Sequence, residues 1–183
     1  MYPYYYVNAY PVFNPVPFSG WNRSIDPYIY TDGWHQFYPA APATERKMMA
    51  QDYGQQPFVT DIEKAAEEND YFRTALWTGK HLQVTLMSIR PGEDIGLEVH
   101  RNVDQFLRIE DGHGLVQMGN AQNNLLFQKN VSEDDAIMVP AGTWHNVTNT
   151  GNEALKLYSI YAPPEHPFGT IHRTKEEAKM QEH

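Results

Sequence analysis

Two histidines, a carboxylate and a carboxamide stand at spacings that can bring four heteroatom donors to one point. In G-L-E-V-H-R-N-V-D-Q-F, Glu98 and His100 are two residues apart, so on a strand both side chains project from the same face. Gln105 heads the next expected strand with Leu107 and Ile109 on its face, and His145 heads a third with Val147 and Asn149 on its face. Enclosed in a small interior, a carboxylate and two imidazoles are costly unless a cation compensates them. One divalent metal ion supplies that charge. Two histidines with a carboxylate suit non-haem Fe(II), and the same donors also accept Mn, Co, Ni or Zn. The chain has no cysteine, which excludes thiolate ligands, a thiolate nucleophile and disulfides.

Each of these residues also has a plainer use. Glu98 can pair with Arg101 or Arg108 at a rim, Gln105 can hydrogen-bond a ligand instead of the metal, and His145 can be a satisfied core histidine. His81 and His113 read as solvated loop residues. Trp144, beside His145, is the best candidate to pack a substrate. His166 and His172, in E-H-P-F-G-T-I-H, follow the last expected strand; they are read either as substrate contacts folded over the site or as part of a solvated tail.

The elements that must position these groups are short strands. From Tyr71 onward the runs YFRTALW, LQVTLMSI, IGLEV, DQFLRIE, GLVQM, NLLFQ, AIMVP, TWHNVT and ALKLYSIY alternate with turn formers such as Pro91-Gly92, Asp111-Gly112 and Ala141-Gly142. In LQVTLMSI, Leu82, Val84 and Leu86 share one face, and Gln83 and Thr85 share the other. Many closely spaced strands without a long helical period imply an all-β sandwich or barrel. Thr60 and Glu63 have the spacing of a capping box opening a short helix that ends near Glu68, and Thr174 and Glu177 repeat it before a polar C-terminal helix, expected to be peripheral.

The 183 residues thus divide into an irregular arm over 1–45, a linker over 46–57, a barrel over 58–164 and a tail with a short helix over 165–183. The arm holds eight of the twelve tyrosines and seven of the thirteen prolines, a composition that breaks both helix and sheet.

The same residues carry a family resemblance. Pro140, Gly142, His145 and Asn149 match the core of the second cupin motif, G-x5-P-x-G-x2-H-x3-N, with Asp134 in place of its leading glycine. In the first motif, G-x5-H-x-H-x3,4-E-x6-G, His100 matches the second histidine and Gly112 the closing glycine. Glu98 replaces the first histidine, Gln105 replaces the glutamate, and the opening glycine is displaced to Gly96. The chain therefore resembles the cupin superfamily, with the carboxylate relocated and one negative charge kept. The resemblance implies a conical jelly-roll β-barrel with the metal inside, and cupins include isomerases, dioxygenases, decarboxylases and non-enzymatic binding proteins.

The function expected from this is metal-dependent isomerase or dioxygenase chemistry on a small polar carbonyl or sugar-like molecule, with Glu98 as a proton acceptor if it leaves the metal during turnover. The alternative is a non-enzymatic or structural cupin, since the arm resembles in composition the tyrosine-rich segments of spore-coat proteins. A net charge of −9 with fourteen scattered Lys and Arg argues against nucleic acid as a partner. No signal segment or membrane span is read, so a cytoplasmic protein, or one assembled into a spore coat, is expected. Exposed edge strands favour a homodimer.

Overall fold

The computed structural model describes residues 51–181. The arm expected over 1–45 and the first part of the linker lie outside them. Nine strands follow a short helix: α1 (Ile62–Glu68), β1 (Arg73–Thr78), β2 (Gln83–Ile89), β3 (Asp104–Asp111), β4 (His113–Gly119), β5 (Phe127–Ser132), β6 (Ala136–Val139), β7 (Trp144–Asn149), β8 (Leu155–Ala162) and β9 (Ile171–His172). Helix α2 (Lys175–Gln181) comes last. Strands β6-β3-β8-β2-β1-β9 form a six-stranded sheet, and β5-β4-β7 a three-stranded one. All the pairings are antiparallel. The two sheets enclose Met87, Ile89, Leu107, Ile109, Val116, Val147, Leu155 and Leu157. This is the all-β architecture expected from the strand pattern, in the jelly-roll form that the cupin resemblance implies.

The expected strand IGLEV is an extended segment joined to β7 by the bridges Asp94↔Thr148 and Glu98↔His145. It lengthens the smaller sheet and places Glu98 directly beside His145. The NLLFQ strand begins later than expected, at Phe127, and β9 was not anticipated.

Strand β2 shows how the interior is divided. Gln83, Thr85, Met87 and Ile89 are buried on one side, while Leu86 packs on the other against Ala65 and Ala66 of α1. The polar face seen in the sequence is therefore the interior one at this end. In register with it, Thr85 lies opposite Ser159, and Tyr161 lies between Gln83 and Gln105. The barrel is polar at the end bearing these residues and apolar beyond.

Helix α1 is capped by Asp61, whose carboxylate accepts from Lys64 N at 3.1 Å; the expected cap, Thr60, stands one residue too early. For α2 the expected cap holds, because Glu177 N donates to Thr174 Oγ1 at 3.3 Å. The tail is not peripheral. Its β9 pairs with β1, Ala178 of α2 joins the main core, and Lys175 binds Asp94 at 2.6 Å.

Two glycine positions of the cupin motifs meet a backbone requirement. Gly112 has φ +94°, and a Cβ there would lie 3.1 Å from Leu155 Cα. Where the second motif has its leading glycine, Asp134 adopts φ +69°, a left-handed conformation that glycine takes up without steric cost.

Candidate metal centre

Glu98, His100 and His145 meet at the polar end of the barrel. Glu98 Oε1 lies 3.4 Å from His100 Nε2 and 3.4 Å from His145 Nε2. His145 is fully buried, His100 is 8% exposed and the Glu98 side chain is 19% exposed. None of these three atoms has a hydrogen-bond partner among the described residues.

The other imidazole nitrogens explain why that convergence calls for a cation or an added proton. His145 Nδ1 lies 3.0 Å from the Thr143 carbonyl, which can only accept, so Nδ1 carries a proton. His100 Nδ1 lies 3.1 Å from Glu165 Oε1, which fixes its proton in the same way. In the neutral tautomers both Nε2 lone pairs then face a carboxylate oxygen. Without a cation or an added proton, that is three acceptors pointed at one another. The 3.4 Å spacing equals the edge of a tetrahedral donor set around an ion with bonds of about 2.1 Å. Among the described residues this is the group of side chains able to hold a metal ion.

Burial pushes the Glu98 carboxyl up, but the two adjacent imidazoles and the Arg73 guanidinium outweigh it and hold the group well below the usual carboxylate range. Arg73, itself buried, brings Nη2 to 3.9 Å from Glu98 Oε2. For His100, burial lowers proton affinity, yet Glu98 and Glu165 raise it above the ordinary value. A carboxylate held so firmly as an anion suits a cation ligand better than the proton acceptor also considered from the sequence. The rim pairing of Glu98 with Arg101 or Arg108 is not made; Arg108 instead joins Glu110 and Asp134.

Gln105 is inward and buried, and neither end of its amide has a partner among the described residues. It is paired across the sheet with Tyr161, whose ring centroid is 5.5 Å from that of His100. Trp144, expected to pack a substrate, does not join the group: strand alternation puts it on the face of β7 opposite His145. The histidines of the tail are not solvated. His166 sets its ring centroid 5.0 Å from that of Tyr161, and burial foremost, with Arg73, pushes it down to about 3. His172 is buried opposite Arg73, with Nε2 2.9 Å from Gln181 Oε1.

Sequence reasoning missed Arg73, Tyr161 and Glu165. Arg73 was detectable as the one charge inside the β-rich run YFRTALW, and Tyr161 as the last member of the inward set Leu155, Leu157 and Ser159. Glu165 carries no local signal, because its place depends on the path of the tail.

The comparisons with known proteins agree with this architecture. The family model of the cupin domain matches residues 85–161. The chain is 66% identical over 134 residues to YrkC of Bacillus subtilis, covering 73% of this chain and 72% of that protein. The chain belongs to the cupin superfamily. This cupin is also 38% identical over 117 residues to protein L612 of Acanthamoeba polyphaga mimivirus, covering 63% of this chain and 71% of the other. The crystal structure of BH2720 from Bacillus halodurans is similar to it at 65% identity and a TM-score of 0.71, over 71% of this chain and 98% of that one.

Proposed function

We propose that this cupin is a metal-dependent enzyme in which Glu98, His100 and His145 hold one divalent cation, with Gln105 as a fourth donor. Its substrate is a small polar carbonyl or sugar-like molecule, and its chemistry is of isomerase or dioxygenase type. The observation that carries this reading is the convergence of three buried donor atoms without hydrogen bonds on one point.

A divalent cation bound there supplies Lewis acidity toward a substrate oxygen. The chain's own groups do the rest. The Thr143 carbonyl and the Glu165 carboxylate fix the two imidazole tautomers. Against burial, the two imidazoles and then Arg73 keep Glu98 ionised. The buried Thr85, Ser159, Tyr161 and Gln105 offer hydroxyl and amide groups to a polar substrate on the same inward face. His166, its proton affinity lowered by burial foremost and then by Arg73, stands beside Tyr161 without adding charge.

Elemental analysis of the purified protein, beside Glu98→Ala and His145→Ala, tests the site. Close to one metal per chain in wild type and loss in both variants is the expected result; a metal-free wild type indifferent to chelators overturns it. Turnover of sugars or keto acids under nitrogen then separates isomerase from dioxygenase chemistry, which needs oxygen. The protein acts in this reading as a cytoplasmic homodimer, and light scattering of the purified chain checks the pairing.

A further inference from the structure

The three atoms that converge at the candidate centre are sealed from solvent. Glu98 Oε1, His100 Nε2 and His145 Nε2 are all buried, and none has a hydrogen-bond partner among the described residues. An ion or a substrate reaches them only when part of the enclosure moves. Most of that enclosure is costly to move. Strands β3, β7 and β8 lie in the hydrogen-bonded ladders of the two sheets. The 94–98 segment is sewn to β7 by backbone bonds at Ile95 and Glu98, and Ile95 is part of the core. His100 is anchored through its carbonyl, which accepts from Gly142 N at 2.7 Å.

Residues 163–170, which join β8 to β9, are built differently. None of them is a buried residue and none belongs to either apolar cluster, so the segment has no hydrophobic anchor. Polar contacts hold it to the barrel. Glu165 lies 3.1 Å from His100, both backbone groups of His166 bond the Gln83 amide at 2.9 and 3.0 Å, and Gly169 N donates to Asp52 at 2.9 Å. Its far end is a turn in which Thr170 N and Oγ1 both donate to the Pro167 carbonyl, with Gly169 at φ +74°. A segment held by a few polar bonds and no buried apolar side chain opens locally at far less cost than the sheets beneath it.

We propose that residues 163–170 are a strap over the metal centre, which opens to admit the ion and the substrate and closes by latching His166 to Gln83 and Glu165 to His100. The proposal rests on the metal reading above and adds how the buried centre is reached. Closure does two things in one movement. It covers the site, and it returns the Glu165 carboxylate to His100 Nδ1, which sets the ring so that Nε2 points at Glu98.

The test follows the rate at which the metal-free full chain takes up Co(II), read from the visible absorption that coordination produces. Gln83→Leu removes the latch and is expected to speed uptake about ten- to thirtyfold, as the loss of two ordinary hydrogen bonds raises the open population. Pro167→Gly removes no hydrogen bond, since proline has no N–H to donate, and frees the strap backbone; it is expected to speed uptake about two- to fivefold. Pro91→Gly, in an exposed turn after β2, whose other end carries the latch residue Gln83, leaves the rate unchanged. If Gln83→Leu does not fold, Pro167→Gly decides alone. Uptake by Pro167→Gly at the wild-type rate, or an equal gain in Pro91→Gly, overturns the strap. A wild type that binds no Co(II) at equilibrium is recognised before any rate is measured, and it takes down the metal reading instead.

Discussion

Gln83 and His166 grip each other through a complete amide pair: Gln83 Nε2 donates to the His166 carbonyl at 2.9 Å, and His166 N donates to Gln83 Oε1 at 3.0 Å. They are separated by 83 positions, so one buried side chain fixes the path of the segment that brings Glu165 onto His100. Asp52 holds the same segment farther on, accepting from Gly169 N at 2.9 Å as well as from Thr78 Oγ1 at 2.6 Å.

Replacing Gln83 by Leu removes both of these bonds and the one to Thr78 Oγ1. The His166 backbone groups then lose their partners in a partly buried setting. A loss of about 2–4 kcal/mol of stability is expected, at roughly 1 kcal/mol per bond plus the desolvation left uncompensated. Hydrogen exchange at residues 165–170 should accelerate more than in β2. Unchanged exchange there would show that the strap is held by Asp52 alone.

Asp134 stands in the left-handed conformation at the position where the cupin motif has glycine, and its carboxylate pairs with Arg108. Asp134→Gly relieves the backbone cost and loses a largely exposed ion pair, so it is expected to be within about 0.5 kcal/mol of wild type. Asp134→Ala loses the pair and keeps the strain, and it should be about 1 kcal/mol less stable than the glycine variant. Denaturant unfolding of the two variants side by side measures the difference; equal stability would mean that the φ at this position costs nothing.

Much of this molecule is legible in its sequence, for reasons that differ from residue to residue. Glu98, His100 and His145 were found because strand periodicity and a turn of fixed length decide their direction locally. The strands were found because alternation and glycine turns punctuate them. Trp144 was misplaced because adjacency in sequence was taken for adjacency in space, whereas on a strand neighbours point apart. The tail was undervalued because nothing in E-H-P-F-G-T-I-H shows that Gln83 and Asp52, far upstream, will hold it down. Contacts of that sequence separation are set by topology, and periodicity carries no trace of them.

Glu165 acts on the centre through the His100 ring, at 3.1 Å from Nδ1. Its replacement by Ala frees that ring to turn and weakens Nε2 as a donor, so metal affinity should fall about 10- to 100-fold. At saturating metal the content stays near that of wild type, which separates this effect from the loss of a ligand. Competition against a chelator of known affinity gives the number. An affinity equal to that of wild type would remove Glu165 from the positioning of His100.

The metal-free protein should lose stability as the solution is acidified, and His166 is a principal cause. Burial foremost and then Arg73 push its proton affinity down to about 3 in the folded chain. The unfolded chain takes up that proton near the ordinary value of about 6.5. Between these limits the unfolded state binds more protons, so stability rises with pH across the window; it is complete above about 6.5 and is lost as pH falls toward 3. His100 acts in the opposite sense: its raised proton affinity stabilises the fold below about 6.5, and that contribution disappears as pH rises through its folded value. The two can be separated by substitution. His166→Phe keeps a ring against Tyr161 and removes the titrating group, so its melting temperature should fall less than that of wild type between pH 7 and pH 5. Parallel pH profiles for the variant and the wild type would mean that His166 takes up its proton over the same pH range in the fold as in the unfolded chain.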